Sequence, residues 1–179
     1  LALEVGRRLW VADYGNNRIV RFDNAASLGN GANANAVLGQ PNFTVNPASL
    51  SQSGLNNPIS LAIDAAGNLY VADFNVHRVL RYNNAASKPN GANADGVLGQ
   101  TLFTTNAAGV TATAMNFPGG LAISPAGDLF VSDRNNNRIL AFNNAVAKAN
   151  GAAADRVLGQ TTFTTSIVAT TQSGMNLGQ

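Results

Sequence analysis

The sequence predicts an all-β protein, a β-propeller with three four-stranded antiparallel blades. A repeat of 60 residues occurs three times and fills the chain. Each repeat holds four short apolar runs, separated by segments rich in Gly, Asn, Asp and Pro, which is the pattern of strands and turns. The runs are apolar on both faces, as in strands sandwiched between two neighbouring sheets. Units that repeat at a fixed period stack on one another to bury a core.

The repeats define three blades, at residues 1–60, 61–120 and 121–179. Several polar positions recur in phase, which argues that they serve every blade in the same way. The recurring residues are Asp13, Asp73 and Asp133; Arg18, Arg78 and Arg138; and Gly39-Gln40, Gly99-Gln100 and Gly159-Gln160.

The second repeat shows how the four runs become strands. Leu61 to Asp64 form the innermost strand, Leu69 to Ala72 the second, Arg78 to Tyr82 the third, and Val97 to Gln100 start the fourth. A β-solenoid is the alternative, but its coils are shorter and lack paired hairpin turns. By phase, the innermost strands are expected near 1–4, 59–64 and 119–124, the second near 8–13, 68–73 and 128–133, the third near 18–23, 78–83 and 138–143, and the fourth near 36–40, 96–100 and 156–160.

The hairpin of each repeat resembles a known family motif. It reads Leu-Trp-Val-Ala-Asp-Tyr-Gly-Asn-Asn-Arg-Ile-Val-Arg-Phe at 9–22, and close variants follow at 69–82 and 127–139. This segment resembles the NHL repeat, and the resemblance implies a propeller, usually of six blades. It implies little about function, because NHL propellers serve as protein-binding, RNA-binding and enzymatic scaffolds.

Composition argues against several classes of protein. Charged residues make up 11% of the chain, less than half the usual ~25%, and the net charge is +2 without a run of Lys or Arg. Nucleic-acid binding is therefore not predicted. No apolar run approaches the ~20 residues of a membrane span. A surface rich in amides and hydroxyls is common in exported proteins, so we expect an extracellular or cell-surface location.

The candidate binding residues lie where the copies disagree. The turn between the second and third strands reads Tyr-Gly-Asn-Asn, then Phe-Asn-Val-His, then Arg-Asn-Asn-Asn. This turn shares a rim of the propeller with the connections between blades. The candidate contacts for an unidentified protein or carbohydrate ligand are Tyr14, Phe74, His77 and Arg134; the alternative is neutral variation on an exposed turn.

The residue inventory favours binding over catalysis. The Asp and Arg of each hairpin recur in every blade, so we expect the Asp to accept backbone N–H bonds from its own turn and the Arg to pair with it. His77 is the single histidine. The NHL-like amidating lyases use several His ligands around a central metal, which one histidine does not supply. No catalytic residue, metal site or cofactor is predicted. The alternative is an NHL-like lyase or hydrolase with a site in the central channel.

The predicted core also bears on assembly. Closed propellers have about four to eight blades, and closure removes open faces. Three blades leave two apolar faces bare, so we expect a second copy to dock head to tail and close a six-bladed homodimeric ring. The alternative is that these blades are half of a longer six-bladed polypeptide. Residues expected in the core are Val11, Val71 and Val131, Leu38, Leu98 and Leu158, and Phe22, Tyr82 and Phe142.

Overall fold

The computed structural model describes residues 1–4 and 6–177, and in that part of the chain twelve strands form three four-stranded antiparallel sheets. Each sheet is a blade whose strands follow one another in chain order. The bounds agree with the predicted positions to within two residues. Blade 1 contains β1 (Ala2–Glu4), β2 (Arg8–Asp13), β3 (Arg18–Phe22) and β4 (Ala36–Leu38); blade 2 contains β5 (Pro58–Ile63), β6 (Leu69–Asp73), β7 (Arg78–Tyr82) and β8 (Gly96–Leu98); blade 3 contains β9 (Pro118–Ile123), β10 (Leu129–Asp133), β11 (Arg138–Phe142) and β12 (Arg156–Leu158).

Blade 2 shows why the strands are apolar on both faces. Its register places Leu61, Val71, Leu80 and Val97 in one row across the sheet, and this row packs against blade 1. Neighbouring residues point to the opposite face because side chains alternate along a strand. This opposite face packs against blade 3 through Ala62, Tyr70, Val79 and Leu98, which come from two adjacent rows.

The core therefore consists of two inter-blade layers. Blade 1 contributes Trp10, Ile19 and Leu38 to the first layer, and all three are buried. Blade 3 contributes Val131 and Phe142 to the second layer, where both are fully buried. Burial of side chains of this size stabilises the fold by about 1.5–3 kcal/mol each.

Three of the expected core residues are not buried. Val11 and Phe22 are half-buried, and Leu158 is 46% exposed, whereas its counterparts Leu38 and Leu98 are 1% and 4% exposed. The expectation was wrong for these three because they lie on the outward faces of blades 1 and 3, which no other blade of this chain covers. The remaining six are buried as predicted: Val71, Val131, Leu38, Leu98, Tyr82 and Phe142.

The two uncovered faces, on blades 1 and 3, correspond to the two faces that meet between consecutive blades. The open face of blade 1 is a concavity of about 770 Å³ whose walls include Val11, Val20 and Phe22. The open face of blade 3 carries Phe130 and Leu158 at the positions of Tyr70 and Leu98, which in blade 2 pack against the surface of blade 3.

In the described part of the chain, no helix has the length and apolar character needed to span a membrane.

Candidate functional site

The turns between the second and third strands are single 3-10 turns. They comprise Tyr14–Asn16, Phe74–Val76 and Arg134–Asn136. The residue that follows each turn is left-handed, with φ of 50° at Asn17, 55° at His77 and 50° at Asn137. Asn is among the non-glycine residues that adopt this conformation most readily, and His is also enriched there. The sequence variation at these turns therefore occurs on one common backbone.

His77 makes the same hydrogen bond as the asparagines at its position in the other two blades. In blade 1 the side-chain oxygen of Asn17 accepts the N–H of Asn57 at 2.9 Å, and in blade 3 Asn137 accepts the N–H of Leu177 at 3.2 Å. In blade 2 the Nδ1 atom of His77 accepts the N–H of Phe117 at 3.0 Å. Each bond ties a turn to the chain that enters the next blade, so His77 has a structural role in its turn.

The protonation of His77 follows from its surroundings. Burial lowers the pKa of His77 below 6.5, and the nearby carboxylate of Asp133 opposes that shift. A neutral imidazole donates from one nitrogen and accepts at the other. Because Nδ1 accepts a backbone N–H, the proton of the neutral ring lies on Nε2.

An aromatic depression opens beside this turn. Phe74 and Phe117 face each other with ring centroids 4.8 Å apart and planes tilted by 47°. The edge of His77 meets Phe117 at 4.5 Å, and the guanidinium of Arg134 lies 5.9 Å from the ring centre of Phe74. Together Phe74, Phe117, Arg134 and Asn135 line an open cavity of about 240 Å³, which we call the rim patch.

The rim patch combines apolar and polar surface on a rigid support. The two phenyl rings are in contact and together form an apolar side of the depression, and Arg134 adds a cation to its border. Aromatic surface beside a few polar groups is typical of binding sites. The four residues that line the patch include no nucleophile and no acid–base pair.

The structure brings together three of the four predicted contact residues. Phe74, His77 and Arg134 meet at the rim patch, whereas Tyr14 is 47% exposed and borders the blade 1 concavity instead. Sequence reasoning missed Phe117. A signal existed, because its counterparts in the other repeats are Asn57 and Leu177. Phe117 reaches the patch because the chain entering blade 3 runs alongside the turn of blade 2.

The recurring Asp and Arg form a latch, and their geometry corrects one expectation. In each of blades 2 and 3 the Arg Nε donates to the Asp, at 2.8 Å for Arg78–Asp73 and 2.7 Å for Arg138–Asp133. The Asp does not bind the backbone of its own turn as expected. Asp73 accepts the N–H of Asn56 at 2.7 Å, because the turn already closes through its own backbone while the incoming chain needs an acceptor.

Burial sets the electrostatics of this latch. Burial raises the pKa of Asp73 to about 6, while Arg78 and the N–H of Asn56 lower it. The carboxylate is thus ionised at neutral pH and pairs with a fully buried guanidinium. Arg78 also donates to the carbonyls of Phe103 and Gly54, which fixes the chain that leaves the blade and the chain that enters it. Within the described residues, no cluster of three or more His, Asp or Glu side chains is arranged to hold a metal ion.

Comparison with known proteins agrees with this geometry. The NHL repeat family matches residues 55–82 and 115–142, which contain the latch hairpins of blades 2 and 3. Blades 2 and 3 each contain an NHL repeat. No curated protein sequence matches the NHL-repeat chain.

Two solved structures are similar to this chain. A streptogramin B lyase is 12% identical, with a TM-score of 0.50, and the match covers 80% of this chain and 36% of that one. Apo AztD from Citrobacter koseri is 10% identical, with a TM-score of 0.47 and coverage of 87% and 35%. The chain spans about a third of the length of these structures. At this identity the lyase likeness shows the β-propeller fold alone.

Proposed function

We propose that this chain is a non-enzymatic binding module: three propeller blades that a second copy closes into a ring, with the rim patch as the ligand contact. The observation that carries the binding role is the depression between Phe74 and Phe117, bordered by Arg134 and Asn135. The equivalent junction between blades 1 and 2 has Asn57 in place of Phe117, and there Asn75 donates to Asn57 instead.

The shape of the patch favours a side chain of a protein partner over a sugar ring. A sugar stacks on a flat aromatic platform, whereas the two phenyl rings, in contact and tilted by 47°, form one uneven side of a shallow cleft that Arg134 and Asn135 complete. A cleft of about 240 Å³ accommodates one apolar side chain. The guanidinium of Arg134 beside it favours an acidic neighbour in the partner segment.

Self-association is the second part of the proposal. The open face of blade 1 corresponds to the blade 2 face that packs against blade 1. The open face of blade 3 corresponds to the blade 2 face that packs against blade 3. Uncovered apolar faces of this size mark interaction surfaces. Head-to-tail docking of two copies gives six blades and covers both faces. The lyase or hydrolase alternative has no specific observation in its favour among the described residues.

A peptide-display selection with Phe117→Asn as the counter-screen tests the binding role. Asn occupies the same left-handed position in blade 1, so the variant keeps the fold and loses one wall of the cleft. Peptides with an aromatic or proline residue next to an acidic one should be enriched on the wild type and lost on the variant. Tyr14→Ala, on the same rim outside the patch, should retain them. Peptides that bind Phe117→Asn equally well, or a glycan array that binds where peptides do not, would overturn the assignment.

A further inference from the structure

We propose, resting on the ring described above, that the two copies join through a hydrogen-bonded loop-to-strand junction. The Asn30–Gly31 loop of one copy pairs with the outer edge of β12 at the partner's Val157. Arg156 completes the junction by reaching the first blade of the other copy.

The two junctions inside the chain supply the pattern. The side-chain oxygen of Asn90 in blade 2 accepts the N–H of Val37 in blade 1 at 3.0 Å, and the N–H of Gly91 donates to the carbonyl of Val37 at 3.1 Å. Blade 3 repeats this on blade 2, where Asn150 and Gly151 bond Val97 at 3.1 and 2.9 Å. The Asn-Gly loop of each blade thus forms hydrogen bonds to the outer edge of the preceding blade's fourth strand. Without these bonds the backbone groups of that edge would be open to pairing with other chains.

Glycine is required in this loop because of close approach. A Cβ on Gly91 would lie 2.8 Å from Cα of Pro41, and one on Gly151 would lie 2.9 Å from Cα of Thr101. Gly31 holds the same position in blade 1 with φ of 74°, yet a Cβ there meets nothing within 4 Å. The Asn30–Gly31 pair therefore has the sequence of a junction loop and lacks the strand edge it fits.

Blade 3 presents that strand edge. Val157 pairs with Leu140 in the register in which Val97 pairs with Leu80, so the outward N–H and C=O of Val157 match those that Asn150 and Gly151 bind on Val97. The adjacent Leu158 is 46% exposed, although Leu98 at the same position is buried by the next blade. The edge of β12 and the Asn30–Gly31 loop thus carry the two halves of the pattern that joins consecutive blades.

The placement of one arginine supports the same conclusion. Arg81 on β7 lies over Gly96 on β8 and donates to the carbonyls of Ala145 and Lys148 in the next blade at 2.9 and 3.1 Å. Blade 3 has this pair reversed: Ala141 stands on β11 and Arg156 opposite it on β12.

The reversal keeps a guanidinium on the same face. Arg156 bonds Asn143 at 3.2 Å, as Arg81 bonds Asn83, the equivalent residue, at 3.0 Å. Arg156 is exposed on the open face of blade 3. It is placed to donate to the carbonyls of the partner's Ala25 and the partner's Leu28, which correspond to Ala145 and Lys148.

Mass measured by light scattering over a range of concentrations tests the junction, with circular dichroism as the check on folding. The wild type should have twice the chain mass of 18.4 kDa. Gly31→Asn should raise the dimer dissociation constant by at least about tenfold, because its Cβ would meet the partner's strand end. Gly127→Asn is the control for backbone strain, since Gly127 also has a positive φ, of 86°, and open space around it. Gly29→Ala should dimerise normally, since the counterparts of Gly29 are Pro89 and Ala149.

The arginine reversal provides a rescue. Arg156→Gly should weaken the dimer, and adding Ala141→Arg should restore it by recreating the Arg81–Gly96 arrangement. A wild-type dimer that Gly31→Asn and Arg156→Gly leave unchanged would overturn the junction while the ring stands. A wild-type monomer at every concentration, or an assembly heavier than a dimer, would overturn the ring and the junction together.

Discussion

The residue that follows each turn is set by the hydrogen bond that its side chain must accept. This residue is Asn17 in blade 1, His77 in blade 2 and Asn137 in blade 3. All three are left-handed, and all three accept the backbone N–H of the residue 40 positions later. What differs is that the imidazole takes up a proton as the pH falls and the amides do not. The repeats therefore provide a ready-made control for the effect of protonation at His77.

His77→Asn should remove a pH dependence of stability without lowering stability at about pH 8, where we expect a change within ~0.5 kcal/mol. Burial lowers the folded pKa of His77 below 6.5. As the pH falls below 6.5, the unfolded chain therefore binds more protons than the folded protein. The contribution of the neutral ring to the free energy of unfolding is complete above pH 6.5 and is lost as the pH falls toward the folded pKa.

Urea midpoints from about pH 8 to pH 5 would show the wild type falling relative to His77→Asn. Asp73 also titrates in this range, with a pKa of about 6, but it is common to both proteins and cancels in the difference. His77→Ala should lose stability at every pH, since it leaves the N–H of Phe117 without its acceptor, at a cost of about 1–3 kcal/mol. Parallel pH profiles for the wild type and His77→Asn would contradict the assignment.

At the scale of the blade, the Asp–Arg latch joins three segments that sequence separates. Asp73 and Arg78 both hold the chain entering the innermost strand, at Asn56 and Gly54, and Arg78 also holds the loop that leaves the blade, at Phe103. The latch is fully buried in blades 2 and 3, whereas in blade 1 Arg18 and Asp13 are 20% and 27% exposed. The same pair thus exists in a dry and in a wetter environment within one protein.

Asp73→Ala should therefore destabilise the fold far more than Asp13→Ala. Removal of Asp73 leaves the guanidinium of Arg78 buried without a counter-charge, which costs about 3–5 kcal/mol. Around Asp13, water and loop carbonyls solvate Arg18, and we expect a loss of about 1 kcal/mol. Guanidinium denaturation of the two variants measures the difference. Equal losses at the two positions would show that burial does not set the strength of the latch.

The strands were predictable because their signal is local. Runs such as 69–73 carry β-branched and aromatic residues between turn residues, and the register follows from the repeat. The acceptor role of Asp73 toward Asn56 was not predictable, because it depends on which distant segment passes the turn. Phe117 was missed for the same reason. Non-local contacts require the blade to be assembled first.

At the scale of the molecule, the concavity on the open face of blade 1 bears on the proposed assembly. The cavity of about 770 Å³ on blade 1 is lined by Val11, Val20 and Phe22. The equivalent surface of blade 2, around Val71, Leu80 and Tyr82, is filled by blade 1. Because neighbouring blades fill the equivalent surface twice within the chain, we propose that this concavity is the docking face for a second copy.

Ring closure should couple stability to concentration. If the open faces pack only in the dimer, the thermal midpoint rises with protein concentration, because only the folded chain associates.

Leu158→Asp places a charge on the open face of blade 3. Since Leu158 is already 46% exposed, the isolated chain should lose less than about 1 kcal/mol, while the concentration dependence should vanish because docking would bury an unpaired carboxylate. Leu98→Asp, at the equivalent position that is 4% exposed, should prevent folding altogether. Scanning calorimetry over a hundredfold range of concentration makes the comparison. A wild-type midpoint that does not move with concentration, or a Leu158→Asp variant whose midpoint still moves with it, would show that these faces do not meet in the folded protein.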